Sequence, residues 1–349
     1  MPYRIQNGET IDQGVRRLLH ERVRRARSEL AGKFDDAVIH EVRQELKRLR
    51  ALLALVRPMV RPGKFRQQRR CLRRCSAELS DSRDARVRLE SLSLIAAAGR
   101  PAIATQHWVA LTRQLREGSL GHIRQLVHGR SPQKIRRRLK SFDRRFQSTP
   151  VCAGEGQRVL AGIVSSYRKA RRALRQVHSN PSTRNLHCWR RCTKRLWHQL
   201  VPVQNSLPSS LATWTPKLDR LGANLGEDHD LFLLSRFLRR KGDETLSKKE
   251  RDGLLQWIQN RRLELVESVT NQGRGVFAAT PSRFQTELRR PGRNRRPTPF
   301  EDADISRTAV ASRVDQVPMI SRRATPPSVR LRGRPSGSRN SALGDNPNR

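Results

Sequence analysis

Aromatic residues make up only 5% of this 349-residue chain, and its most basic stretches contain almost none. Proteins that grip single-stranded nucleic acid usually interleave aromatics with cations for base stacking, so the scarcity argues against that class. Acidic residues are also few: 31 Asp and Glu stand against 73 Lys and Arg, a formal net charge of +42. Such an excess repels itself unless counterions or a polyanion neutralise it, which makes a polyanion the leading partner. Charge alone does not choose among nucleic acid, an anionic membrane surface and polyphosphate, and it says nothing about fold. The cations are mostly Arg, whose planar fork matches two phosphate oxygens at once. Long apolar runs are missing too. Residues 1 to 27 are charged and read as no secretory leader, and Leu92 to Ala104 is broken by Gly99, Arg100 and Pro101 and too short to span a bilayer. Five cysteines make no disulfide framework, in keeping with a reducing, cytoplasmic compartment and no membrane partner.

What the chain does have is helical periodicity, with strand alternation hard to find, so the expected class is all-α. Ile11, Val15, Leu18, Leu19, Val23 and Leu30 mark one amphipathic segment; Asp35-Asp36 starts the next, and Pro58 with Pro62-Gly63 ends it. Further helices are expected over 64–79, 84–98, 101–116, 119–128, 132–147, 154–178, 184–204, 213–225, 230–240 and 247–270. From residue 291 to 349 the chain turns rich in Pro, Arg, Ser and Gly, with no sustained period, and reads as a disordered basic tail. Residues 1–290 are then one helical domain, divisible at about residue 150 into halves 8–150 and 151–290.

Comparing those halves exposes a repeat. His40-Glu-Val-Arg43-Gln-Glu-Leu-Lys47-Arg48 and His187-Cys-Trp-Arg190-Arg-Cys-Thr-Lys194-Arg195 share the spacing H-x-x-R-x-x-x-K-R. A second matched signal follows each: Leu79-Ser-Asp-Ser-Arg83-Asp84 and Leu225-Gly-Glu-Asp-His229-Asp230. The His-to-Asp separation differs by one residue between copies, which argues for duplicated helical units. At about 100° per residue, His40, Arg43, Lys47 and Arg50 share a stripe opposite Val38, Val42, Leu46, Leu49, Leu53 and Val56. His187, Arg190, Lys194 and His198 group likewise, opposite Leu186, Trp189, Leu196, Leu200 and Val203. On the next helix Arg66, Arg69, Arg70 and Arg73 lie to one side of Phe65, Leu72 and Leu79. These faces hold almost no balancing carboxylate, so intrahelical ion pairing does not explain them, and an anion site does.

Other chemistry is thinner. Asp84 and Asp230 are one carboxylate per half with no matched acidic cluster, which suits capping or pairing with arginine better than a metal. Cys71 with Cys75 and Cys188 with Cys192 have i,i+4 spacing, not a zinc knuckle, and sit among cations; they read as half-buried core residues. No metal and no cofactor is expected.

The paired H-x-x-R-x-x-x-K-R helices, the Leu79…Arg83-Asp84…Val87 and Leu225-Gly226…Asp230 signals, and Ser166-Tyr-Arg-Lys-Ala-Arg-Arg-Ala-Leu174 between them resemble the CHAD domain, the conserved histidine α-helical domain. The likeness runs over roughly residues 8 to 288, to Phe277 and Pro281-Ser-Arg-Phe284. It implies two pseudosymmetric antiparallel helical bundles around a basic channel, binding of inorganic polyphosphate, and association with polyphosphate granules. It places His40, Arg43, Lys47, Arg48, His187, Arg190, Lys194 and Arg195 on the anion-contacting stripe, to which the helical geometry adds Arg50, Arg66, Arg69 and Arg73. Trp197 stands where the first copy has Arg50, Glu45 sets a carboxylate beside the apolar stripe, and the tail has no counterpart in the family domain. The E-x-E-x-K signature of the triphosphatase domain sometimes fused to CHAD domains is missing, so no catalysis is expected. The expected function is non-catalytic polyphosphate binding, with duplex nucleic acid as the alternative polyanion and a granule scaffold recruiting a protein through its tail as a third reading. His40 and His187 are expected to strengthen binding as pH falls from about 8 to about 6, around the ordinary imidazole pKa of ~6.5.

Overall fold

The computed structural model describes residues 3–6, 8–99, 101–148, 156–204, 211 and 213–289. Among them there are eleven α-helices and no strand: α1 (Ile11–Glu29), α2 (Asp36–Leu55), α3 (Pro62–Glu78), α4 (Ser80–Ala97), α5 (Thr105–His128), α6 (Ser131–Gln147), α7 (Gly156–Ser179), α8 (Thr183–Val203), α9 (Trp214–Lys241), α10 (Lys248–Val276) and α11 (Pro281–Arg289). All fall within one compact unit, Met1–Ala303; a second unit, Asp304–Arg349, lies outside the described residues, as does the whole of the expected tail.

Local chemistry accounts for the helix starts. Asp35 accepts from the Val38 N–H at 3.0 Å and begins α2; Thr10 with Gln13 and Ser247 with Glu250 form capping boxes on α1 and α10. Pro62 sits in the first turn of α3, where its missing N–H leaves nothing unpaired. Two expected breaks do not occur. Helix α5 runs straight through Gly118, and α9 runs through Gly226 to Lys241. A Cβ at Gly118 would meet nothing within 4 Å, so this glycine is an exposed position that the flanking contacts carry; at Gly226 the packing of α9 on α8 carries the helix through.

The apolar side chains form two cores, and neither follows the division at residue 150. One gathers Leu18, Leu49, Leu72, Phe142, Ile163, Trp189 and Phe284, hence α1–α3, α6–α8, α11 and the ends of α9 and α10 nearest them. The other joins Leu92 and Ile95 of α4 and Leu111 of α5 to Leu234 and Leu238 of α9 and Leu254 and Ile258 of α10. The α4–α5 hairpin of the first half therefore packs on the α9–α10 hairpin of the second, while α2 crosses α8 directly. That exchange sets the two repeated stripes side by side. Trp189 is fully buried, and Gly273 of α10 makes room for it: a Cβ there would lie 2.6 Å from the indole.

Candidate anion-binding site

Helices α2, α4, α8 and α9 bring the two copies of the repeat together around Lys47. Its ammonium is held well below the usual lysine range, first by burial and then by Arg190, Arg43, Arg83 and Lys194, which come from α2, α4 and α8. The side chain is nevertheless solvent-exposed. Lys47 is thus a solvent-accessible cation with other cations from α2, α4 and α8 close to it. Arg43 is drawn down to about 10 by burial and then by Arg83, and it donates to the Leu79 carbonyl at 2.7 Å. Arg50 is drawn down to about 10 by burial and by Arg195, Arg191, Arg69 and Arg73, which extends the cationic surface to α3. Lys169 of α7, depressed by burial, Arg57 and Arg195, continues it further. Each lowered value records lost hydration first and cation repulsion second, and a bound anion would relieve the second.

In the second copy the cations lie across a glycine-faced helix. A Cβ at Gly222 would stand 2.8 Å from Lys194 Cε, and one at Gly226 would touch the Arg190 guanidinium at 3.5 Å. At Gly222 the end of the Lys194 side chain occupies the space a Cβ would take, whereas a Cβ at Gly226 would make only ordinary contact with Arg190, one turn from Lys194 on α8. Lys194 donates to Asp219 at 3.0 Å and sits 4.9 Å above the Trp197 ring, so the residue that replaces a first-copy arginine orients a neighbouring lysine.

The two matched aspartates pair with arginine. Arg83 reaches Asp230 at 2.7 Å and Asp84 at 3.2 Å, tying α4 to α9. Burial pulls Arg83 down, but the two carboxylates outweigh it and hold its pKa above the ordinary value. Asp228, 2% exposed, accepts from Arg262 at 2.8 Å. Among the described residues no three His, Cys, Asp or Glu side chains converge as metal ligands. Cys75 is buried, Cys71 and Cys192 are half-buried, and Cys188 is exposed, which departs from the half-buried core position expected of it.

The histidines divide. His40 is exposed, with Nε2 3.2 Å from the Gln44 amide nitrogen; burial and Lys47 hold its pKa below the ordinary value. His187 lies against His229 with ring centroids 4.4 Å apart and the planes tilted by 36°, and burial followed by Arg190 depresses both, His229 to about 3. His198 shares the second stripe by spacing, yet it is only 5% exposed, and its carbonyl accepts from Tyr3 Oη at 3.0 Å.

Arg48 turns away from the other cations. Its guanidinium pairs with Glu45 at 2.7 Å and lies 5.5 Å from the Tyr3 ring centroid, because Glu45 is a fully buried carboxylate that draws Arg48, Arg22 and Arg25 toward itself. At the matched position of the second copy stands Cys192, and Arg195 stays with Arg191 and Arg69. Arg66, Arg69 and Arg73 are exposed on α3. Arg57, Lys169, Arg191, Gly222 and His229 were not singled out from sequence. His229 was findable, since it occupies in the second signal the position of Arg83 in the first.

Among the described residues the fold is all-helical, with a duplicated cation stripe and carboxylates that tie its helices together. The CHAD domain pattern matches residues 15–239, and the chain belongs to that family, a polyphosphate-related one. Its fold is similar to the crystal structure of the CHAD domain from the plant Ricinus communis, with a TM-score of 0.52 and 16% identity over 80% of this chain and 97% of that one. No curated protein matches the sequence. Among the described residues no helix is long and apolar enough to cross a membrane.

Proposed function

We propose that this protein binds inorganic polyphosphate without transforming it, along the cations of α2, α8, α4 and α3, and that this binding brings it to polyphosphate granules. The observation that carries the reading is Lys47, solvent-exposed yet ringed by Arg43, Arg83, Arg190 and Lys194 from three helices. A flexible, thread-like polyanion can follow cations contributed by three helices, whereas a rigid duplex presents its phosphates at fixed spacing. Polyphosphate brings about one charge per phosphate, so each engaged Arg or Lys releases a counterion, and affinity falls steeply with salt, by analogy with nucleic acids. The carboxylates of Asp84, Asp230 and Asp219 hold Arg83 and Lys194 in place.

The test is parallel binding of the full chain to long-chain polyphosphate and to duplex DNA at physiological salt. The expected result is tighter binding of polyphosphate together with an unchanged phosphate chain length after incubation with Mg²⁺. Equal or tighter DNA binding overturns the choice of ligand, and shortening of the chain overturns the non-catalytic reading.

A further inference from the structure

The His187–His229 pair has a feature that a titrating phosphate ligand does not explain. Both Nδ1 atoms are buried without a hydrogen-bond partner, as is Arg190 Nε beside them, while each histidine keeps partial exposure. The charged groups near the pair come from every helix packed there: Arg190 and Arg191 of α8, Arg83 and Asp84 of α4, Arg262 of α10, and Asp228 and Asp230 of α9 itself. Asp228 is taken by Arg262 and Asp230 by Arg83, and neither imidazole hydrogen-bonds a carboxylate.

A buried N–H with no acceptor costs about 1–3 kcal/mol, whereas a bare lone pair is better tolerated. Nδ1 is therefore the lone-pair nitrogen of each ring, and the proton sits on Nε2, which is not among the buried, unpartnered atoms. Charging either ring would place an N–H on the orphaned atom, beside a neighbouring imidazole and three arginines.

We propose that His187 and His229 bind phosphoryl oxygens as a pair of neutral Nε2–H donors, locked in one tautomer, and that they take up no proton when the ligand arrives. This inference rests on the polyphosphate reading. It makes the pair a source of directional hydrogen bonds that add no cation to an already repulsive cluster, and it adds His229 to the contact residues.

The measurements are made on the full chain with tripolyphosphate and long-chain polyphosphate. Nitrogen-15 NMR of the histidine rings should show the Nε2–H tautomer for both residues at pH 7, unchanged in the complex. Calorimetry in two buffers of different ionisation enthalpy should give the same proton uptake for the wild type and for His229→Gln. Affinity should drop roughly tenfold in His229→Phe, which keeps the ring and removes the donor, and should be largely restored in His229→Gln. An imidazolium signal in the complex, or proton uptake lost in His229→Gln, overturns the neutral-donor assignment. Unchanged affinity in His229→Phe reduces the pair to packing. Failure of the wild type to bind either phosphate overturns the polyphosphate reading along with this one, whereas binding with either of the other two results overturns this one alone.

Discussion

The two copies of the repeat share a spacing and differ in what faces it. In the first, Arg43 is anchored on the Leu79 carbonyl, Lys47 donates to Gln44 Oε1 at 3.2 Å and makes no ion pair among the described residues, and buried Glu45 takes Arg48 out of the group. In the second, Arg190 and Lys194 lie over Gly226 and Gly222, Lys194 is paired with Asp219, and Arg195 remains among cations. The spacing brings equivalent residues to one place; the opposing helix decides which of them keep an unspent charge. By this comparison Lys47 is the more available ammonium and Lys194 is partly neutralised before any ligand arrives.

The core shows the same inequality, and there the largest effect is expected. Trp189 fills in the second copy the position of Val42 in the first, and both are fully buried. Trp189→Val makes the copies alike but leaves the space over Gly273 empty, and should cost about 3–5 kcal/mol of stability in urea unfolding. Gly273→Ala drives a methyl against the indole and should cost about 1–3 kcal/mol. A loss below about 1 kcal/mol for Trp189→Val would show that the second copy repacks freely.

Binding comes next. Arg43→Ala with Lys47→Ala should weaken long-chain polyphosphate binding at least tenfold at physiological salt and lower the salt slope by about two counterions, judged by the nucleic-acid relation. Arg190→Ala with Lys194→Ala should lower it less, because Lys194 gives up an existing ion pair in order to bind. Equal losses would mean that Asp219 does not compete. If the second-copy variant has no effect on the long chain, the two stripes do not form one site.

A smaller and opposite effect follows for the carboxylate. Asp219→Asn should raise polyphosphate affinity a few-fold, since the pair is partly exposed and such pairs are worth about 0.2–1 kcal/mol. Gly222→Ala should lower affinity by a similar factor, displacing only the flexible end of Lys194 and leaving stability within about 1 kcal/mol. A rise in affinity in Gly222→Ala would separate lysine placement from binding.

The repeat was legible in the sequence because spacing and amphipathic period survive without coordinates: His40, Arg43, Lys47, His187, Arg190 and Lys194 do come together. Arg48 was not, since its direction depends on the burial of Glu45, which no local pattern reveals. His198 went the other way, because a stripe widened by one turn passes beneath the crossing of α2 and α8. The exchange of α4–α5 and α9–α10 hairpins was hidden as well, since periodicity tells which face of a helix is apolar and not which helix covers it. Gly226 looked like a break because local propensity alone speaks in the sequence, and the packing of α9 on α8 overrides it.

The smallest expected effect separates the histidines at the head of each stripe. His40 is exposed, close to Lys47, Arg43 and Arg86, with Glu41 opposing them, and its pKa lies below the ordinary imidazole value in the free protein. A bound polyanion reverses that repulsion and raises the value, so protons are taken up wherever pH lies between the free and bound pKa, and affinity rises as pH falls through that window. His187 has its orphaned Nδ1 and the His229 ring tilted against it, and is expected to stay neutral throughout. His40→Gln should therefore flatten the dependence of polyphosphate affinity between about pH 7 and pH 5, a change of only a few-fold, whereas His187→Gln should leave its slope intact. The measurement is a fluorescence titration at constant ionic strength, with folding checked by circular dichroism at each pH. A slope lost in His187→Gln and kept in His40→Gln would invert the comparison, and equal loss in both would make the copies chemically alike at this position.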